Sequence, residues 1–163
     1  MAKVIFICGK ICSGKSYYTK QLIEKTDAVV LSTDEILLSL SLKIDDSDEY
    51  DKIVLQLQDY FYKKAVEIVT CGVNAIFDYG FLRKTERDNV SKYFSERNIP
   101  FEWHYIDISD DDWKRNIEER NKLVCENQVQ AYFVDEGLLQ KIISKFEKPT
   151  QQEIDVWVVN SRK

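Results

Sequence analysis

The sequence predicts one α/β domain built on a largely parallel sheet. Short apolar runs alternate with helix-length amphipathic stretches along the chain, the pattern left by strand-helix-strand units. The 163 residues, 44% of them hydrophobic, supply one sizeable core and are too few for two. A single domain over residues 1–163 is therefore expected, with no repeat, low-complexity tract or linker.

The elements follow in order. The first strand is KVIFIC (3–8), and a glycine-bearing turn behind it opens a helix. AVVLST (28–33) is the second strand. DDSDEYD (45–51) reads as a solvated turn and helix start, where carboxylates favour the helix dipole. Ile53, Val54, Leu57, Tyr60, Phe61, Ala65, Ile68 and Val69 then recur at helical spacing, with Gly72 as the stop. NAIFDY (74–79) is the third strand. Val90, Tyr93 and Phe94 mark a helix before Pro100, and FEWHYIDI (101–108) is the fourth strand. Leu138, Leu139, Ile142, Ile143 and Phe146 mark a helix before Pro149, and DVWVVN (155–160) completes five strands.

A formal net charge of -5, with 31% charged residues, describes an acidic protein without the basic footprint of a duplex nucleic-acid binder. The opening Met-Ala-Lys and a short apolar run broken by Gly9 are too brief for a signal-peptide core or a membrane span, so no membrane partner is expected and the expected location is the cytoplasm. Cys8, Cys12, Cys71 and Cys125 form no C-x-x-C pair and His104 is the only histidine, which argues against a zinc site or disulfide framework and for reduced, partly buried thiols.

GKICSGKS, from Gly9 to Ser16, is a G-x-x-x-x-G-K-S phosphate loop placed between a buried strand and a helix. Gly9 and Gly14 allow the sharp turns that bring backbone N–H groups onto one anion. Lys15 reaches the β- and γ-phosphates, and the Ser16 hydroxyl can ligate Mg2+. Gly9, Lys10, Ile11, Cys12, Ser13, Gly14, Lys15, Ser16 and Tyr17 are the expected nucleotide-binding residues. Cys8 and Cys12 read as small packing residues.

In open α/β sheets the ligand crevice lies beyond the carboxyl ends of the strands. Asp78 closes the third strand there and is either a partner of Mg2+ beside the loop or a cap for the next turn. Asp34 follows VVLST and is either a base for an attacking hydroxyl or an N-cap for the helix EILLSL, or both, with backbone N–H bonds keeping it ionised. Arg83, Lys84 and Arg87 either receive the acceptor or form a solvated face paired with Glu86 and Asp88. His104, Trp103, Trp113 and Trp157 fit structural positions.

These residues together resemble the small P-loop kinases of the zeta-toxin, chloramphenicol-phosphotransferase and polynucleotide-kinase group. The resemblance rests on GKICSGKS, VVLSTDEI, AIFDYGFLRKTER, RNIEERN and FEKPTQQE and spans nearly the whole chain. It implies a three-layer P-loop NTPase fold, a parallel sheet ordered 2-3-1-4-5 with helices on both faces, and a small mobile lid contributing arginine. It also implies ATP and Mg2+ as cofactors, a nucleoside triphosphate partner with an unidentified hydroxyl-bearing acceptor, and Asp34 as base. Two positions depart from the group: Leu37 stands where an acceptor-holding arginine is common, and Arg115 and Arg120 are five apart, with Asn116 at the position expected for arginine. The competing expectation is a regulatory module that holds ATP or GTP without phosphorylating an acceptor.

Helical geometry separates the lid arginines. At about 100° per residue, Arg120 shares a sector with Trp113, Asn116 and Ile117, whereas Arg115 points roughly opposite to Trp113. On a continuous helix Arg120 is the catalytic candidate. Arg115 is then a solvent-side residue, pairing at most with Asp111 or Glu119.

Overall fold

The computed structural model describes residues 1–41 and 47–161. Asp45 and Asp46, the first two residues of the acidic patch, lie outside them. The elements are β1 (Val4–Cys8), α1 (Lys15–Ile23), β2 (Ala28–Leu31), α2 (Thr33–Ser39), α3 (Ser47–Thr70), β3 (Asn74–Asp78), α4 (Lys84–Ser95), β4 (Phe101–Ile108), α5 (Asp110–Cys125), α6 (Glu136–Lys145) and β5 (Val156–Asn160). The sheet is ordered β2-β3-β1-β4-β5 and every pairing is parallel, as expected.

All five residues of β1 are buried, because the central strand is covered on both faces. Its alternation divides two hydrophobic layers. Val4, Phe6 and Cys8 face the side holding Phe61, Ala65, Phe77, Phe94 and Trp103. Phe6 stacks on Trp103 at 4.5 Å and on Phe77 at 5.3 Å between ring centroids. Ile5 and Ile7 face the other side, with Ile76, Ile106, Tyr18 and Leu22. The order puts β1 and β3 side by side, so the phosphate loop leaving β1 and Asp78 closing β3 share one edge of the sheet.

The second strand stops at Leu31 because Ser32 leaves the sheet as the N-cap of α2, its hydroxyl accepting from the Glu35 N–H at 3.3 Å. Glycine at 72, with φ 85°, ends the turn after α3. The thiols are free, but Cys71 and Cys125 are exposed rather than partly buried, since they sit at the outer ends of α3 and α5. Among the described residues no helix is long and apolar enough to cross a membrane.

Candidate active site

The loop from β1 to α1 turns through three left-handed or glycine-only conformations, at Gly9 (φ 149°), Cys12 (φ 56°) and Gly14 (φ 100°). A Cβ on Gly9 would stand 2.9 Å from Ser13 Oγ and 3.0 Å from the Ile106 carbonyl, and one on Gly14 would run into Asn160 Nδ2. Gly14 is the N-cap of α1 and no side chain caps that helix, so its first N–H groups face the hollow of the loop. The Lys15 ammonium folds into the loop and donates to the carbonyls of Gly9 (3.0 Å) and Lys10 (2.7 Å). Burial pushes its pKa down, opposed by the charges of Asp78 and Asp34.

Ser16 donates its hydroxyl to Asp78 Oδ2 at 2.9 Å, which brings two hard oxygens together beside the loop. Among the described residues no three His, Cys, Asp or Glu side chains cluster as a metal cage. A hydroxyl and one carboxylate fit Mg2+, which keeps waters and phosphate oxygens as its other ligands.

Asp34 lies in the first turn of α2. It is not the cap: Ser32 takes that role, because the helix begins two residues earlier than the apolar pattern indicates. Burial pushes the Asp34 carboxyl above its usual range, and Lys15 and Arg120 pull it back only partly. The expectation that backbone N–H bonds keep it ionised is therefore replaced by desolvation opposed by two cations.

Helix α5 runs unbroken along the loop. The indole Nε1 of Trp113 donates to the Ile11 carbonyl at 2.6 Å, and the Asn116 amide donates to that of Cys12 at 2.9 Å. Trp113 and Ile117 bury against Ile11 and Cys12. Arg120, one turn further on this face, brings Nη1 to 3.4 Å from Cys12 Sγ. Arg115 is exposed and pairs with Asp112, the carboxylate three residues back on its own side of the helix, where Asp111 or Glu119 was expected.

Other expected residues stand apart from this cluster. Lys10 reaches across to Asp110 at 3.1 Å and covers the Trp113 ring at 4.2 Å, so that tryptophan carries a cation as well as filling space. Tyr17 is exposed, its hydroxyl accepting from Gln21. Arg83 is an exposed residue at the head of α4, its N–H bonded to Glu86 Oε2 at 3.2 Å. Arg87 corrects both readings made of it: its side chain is only 3% exposed and donates to Glu153 (3.1 Å) and to the carbonyls of Phe81 (3.1 Å) and Leu82 (3.4 Å). It locks the turn after β3 to the 147–155 segment instead of facing solvent or an acceptor. His104 is buried between Tyr18 and Glu102, and burial lowers its pKa.

Sequence reasoning missed the aromatic surroundings of Asp34. Tyr50 of α3 and Tyr132 meet edge to face at 6.4 Å, and the charge of Asp34 acts on both hydroxyls and on that of Tyr79. The Tyr79 hydroxyl is buried without a partner. Gln130 bonds the Leu38 carbonyl at 3.0 Å, fixing the segment that carries Tyr132 over α2. Tyr79 could have been flagged as the neighbour of Asp78; nothing local marks Tyr50 or Tyr132.

Residues 4–149 match the family described as AAA domain. The chain belongs to this AAA domain family. Solved structures with its fold include kinases. An unliganded sugar kinase of Janibacter sp. is 15% identical, with 98% of this chain and 85% of that one covered and a TM-score of 0.62. The APS kinase CysC of Mycobacterium tuberculosis, in complex with AMPPNP and APS, is 18% identical, with 99% and 90% covered and a TM-score of 0.64. The Pnkp1/Rnl/Hen1 RNA repair complex contains a chain 14% identical, with 88% of this chain and 43% of that one covered and a TM-score of 0.66. No curated protein matches the sequence. For this AAA domain chain the likeness to these structures is one of fold.

Proposed function

We propose that this protein is an ATP-dependent kinase that transfers the γ-phosphate to a hydroxyl of a small molecule or a nucleic-acid end. The observation that carries the reading is one cluster at the carboxyl edge of the sheet, in which Lys15, Asp34, Asp78 and Arg120 act on one another's charge or on that of a shared neighbour. Lys15 exchanges its loop carbonyls for the β- and γ-phosphate oxygens and offsets their charge. Ser16 and Asp78 would hold Mg2+, which would supply positive charge against the charge developing on the phosphate. Asp34 takes the proton of the acceptor hydroxyl as the new O–P bond forms and the bond from the γ-phosphorus to the bridging oxygen breaks, leaving ADP. Arg120 sits on the same side as the loop and stabilises the charge spread over the transferred group.

Around Asp34 the neighbours other than Lys15, Arg120 and Asp78 include the rings of Tyr50, Tyr79 and Tyr132. This supports an uncharged, ring-bearing alcohol as acceptor, and buried Leu37 on the same short helix agrees. The test is a scan of hydroxyl acceptors with γ-labelled ATP, beginning with nucleosides and continuing to phosphorylated alcohols and 5′-hydroxyl oligonucleotides. Label transfer that is abolished in Asp34→Asn supports the reading. Tight Mg·ATP binding with no label transferred to any class contradicts it in favour of a nucleotide-holding regulatory module.

A further inference from the structure

Five consecutive carbonyls of the phosphate loop accept hydrogen bonds from side chains. Lys15 takes those of Gly9 and Lys10, Trp113 that of Ile11, Asn116 that of Cys12, and Asn160 that of Ser13 at 2.7 Å. The first two bonds belong to a residue that must let go when phosphate arrives. The other three come from α5 and from the end of β5, more than a hundred residues away in sequence.

We infer that Trp113, Asn116 and Asn160 are positioning residues that hold the loop open for phosphate before any phosphate binds. The reason is peptide geometry. A trans peptide carries its C=O and N–H in opposite directions, and none of the bonds here is cis. Tying the carbonyls of Ile11 and Ser13 outward therefore turns the N–H groups of Cys12 and Gly14 the other way, toward the hollow. The next peptide, whose carbonyl Asn116 takes, keeps its N–H in a turn, Ser13 to the Lys10 carbonyl at 3.3 Å. A loop with free carbonyls could rotate these peptides, and each rotation would present an oxygen to the anion. The three bonds remove that freedom, and Cys12 is held at φ 56°, where a non-glycine residue does not rest by itself.

Asn116 shows that the donor is what matters. Its Nδ2 reaches the Cys12 carbonyl while Oδ1 of the same amide is buried without a partner. Asn116 stands where the resemblance leads one to expect arginine, and it works on the loop rather than on phosphate. Helix α5 is then a fixed buttress: moving it away would break the Trp113 and Asn116 bonds and uncover the cluster of Trp113, Ile117, Val134 and Ile108. On this inference the mobile part of the lid implied by the resemblance begins beyond Asn116.

The inference rests on the phosphate-loop reading, and its test keeps the two apart. Inorganic tripolyphosphate, which meets the loop without base or ribose contacts, is titrated calorimetrically into wild type, Trp113→Phe and Asn116→Leu. Trp113→Phe keeps the ring and loses the N–H, and Asn116→Leu keeps the side-chain size and the charge and loses the donor; each should raise Kd about fivefold. Stoichiometry should stay near that of wild type. Wild-type Kd in both variants, or wild-type Kd with reduced stoichiometry, would overturn the inference, the latter because it marks a purely structural role. No binding by wild type would instead overturn the phosphate-loop reading beneath it.

Discussion

Asp34 sits between opposing influences: burial pushes its carboxyl up, and Lys15 and Arg120 pull it down. A base must be deprotonated, so raising its pKa moves the loss of activity on acidification to higher pH than an ordinary carboxylate would give. The acid limb of kcat/KM should therefore lie above the usual aspartate range, and Arg120→Ala, which removes one of the opposing cations, should shift it further upward. Asp34→Asn should bind Mg·ATP as wild type does and lose more than about a hundredfold in transfer, read by parallel calorimetry and kinetics. Arg87 belongs to stability instead. Arg87→Ala should lower unfolding free energy by on the order of 3 kcal/mol in denaturant titration, because it removes one partner of a largely buried pair, and leave Mg·ATP affinity unchanged. The positions of Lys15, Ser16, Asp34 and Asp78 were legible because each is fixed by the strand or loop it immediately adjoins. Arg87 was misread because its partner, Glu153, lies 66 residues further on and no local pattern points to it.

At the scale of the element, α5 decides which arginine faces the loop. It is continuous from Asp110 to Cys125, so the phase set by Trp113 carries through Asn116 and Ile117 to Arg120. Steady-state kinetics should show Arg120→Ala losing more than about tenfold in kcat while Arg115→Ala stays near wild type. Equal losses would mean that the helix phase does not govern the chemistry. The phase was readable from periodicity alone. What the helix rests against was not, since the bonds from Trp113 and Asn116 to the loop span more than a hundred residues and leave no periodic trace. Element boundaries shifted for local reasons, as where Ser32 cut β2 short by capping α2.

For the molecule as a whole, the alternation of apolar runs with amphipathic stretches gave the α/β class and its five strands, whereas the strand order came from the resemblance. Crossovers between parallel strands are decided by packing on both faces, and the alternating burial of β1 records that packing only once the chain is folded. The order matters because it sets Gly9–Ser16 beside Asp78 and leaves α2 to present Asp34 nearby. A ligand held by the folded cluster and not by the unfolded chain stabilises the fold, by about 2.7 kcal/mol at a hundredfold excess over Kd, so Mg·ATP should raise Tm in wild type. The proposed function requires this edge of the sheet to hold a triphosphate through Lys15. Calorimetric titration of Mg·ATP into wild type and Lys15→Ala tests it directly. Wild type should bind saturably and the variant more than about a hundredfold more weakly, since an ammonium facing two phosphates is lost; equal affinity in the two proteins would rule out a triphosphate site built on Lys15.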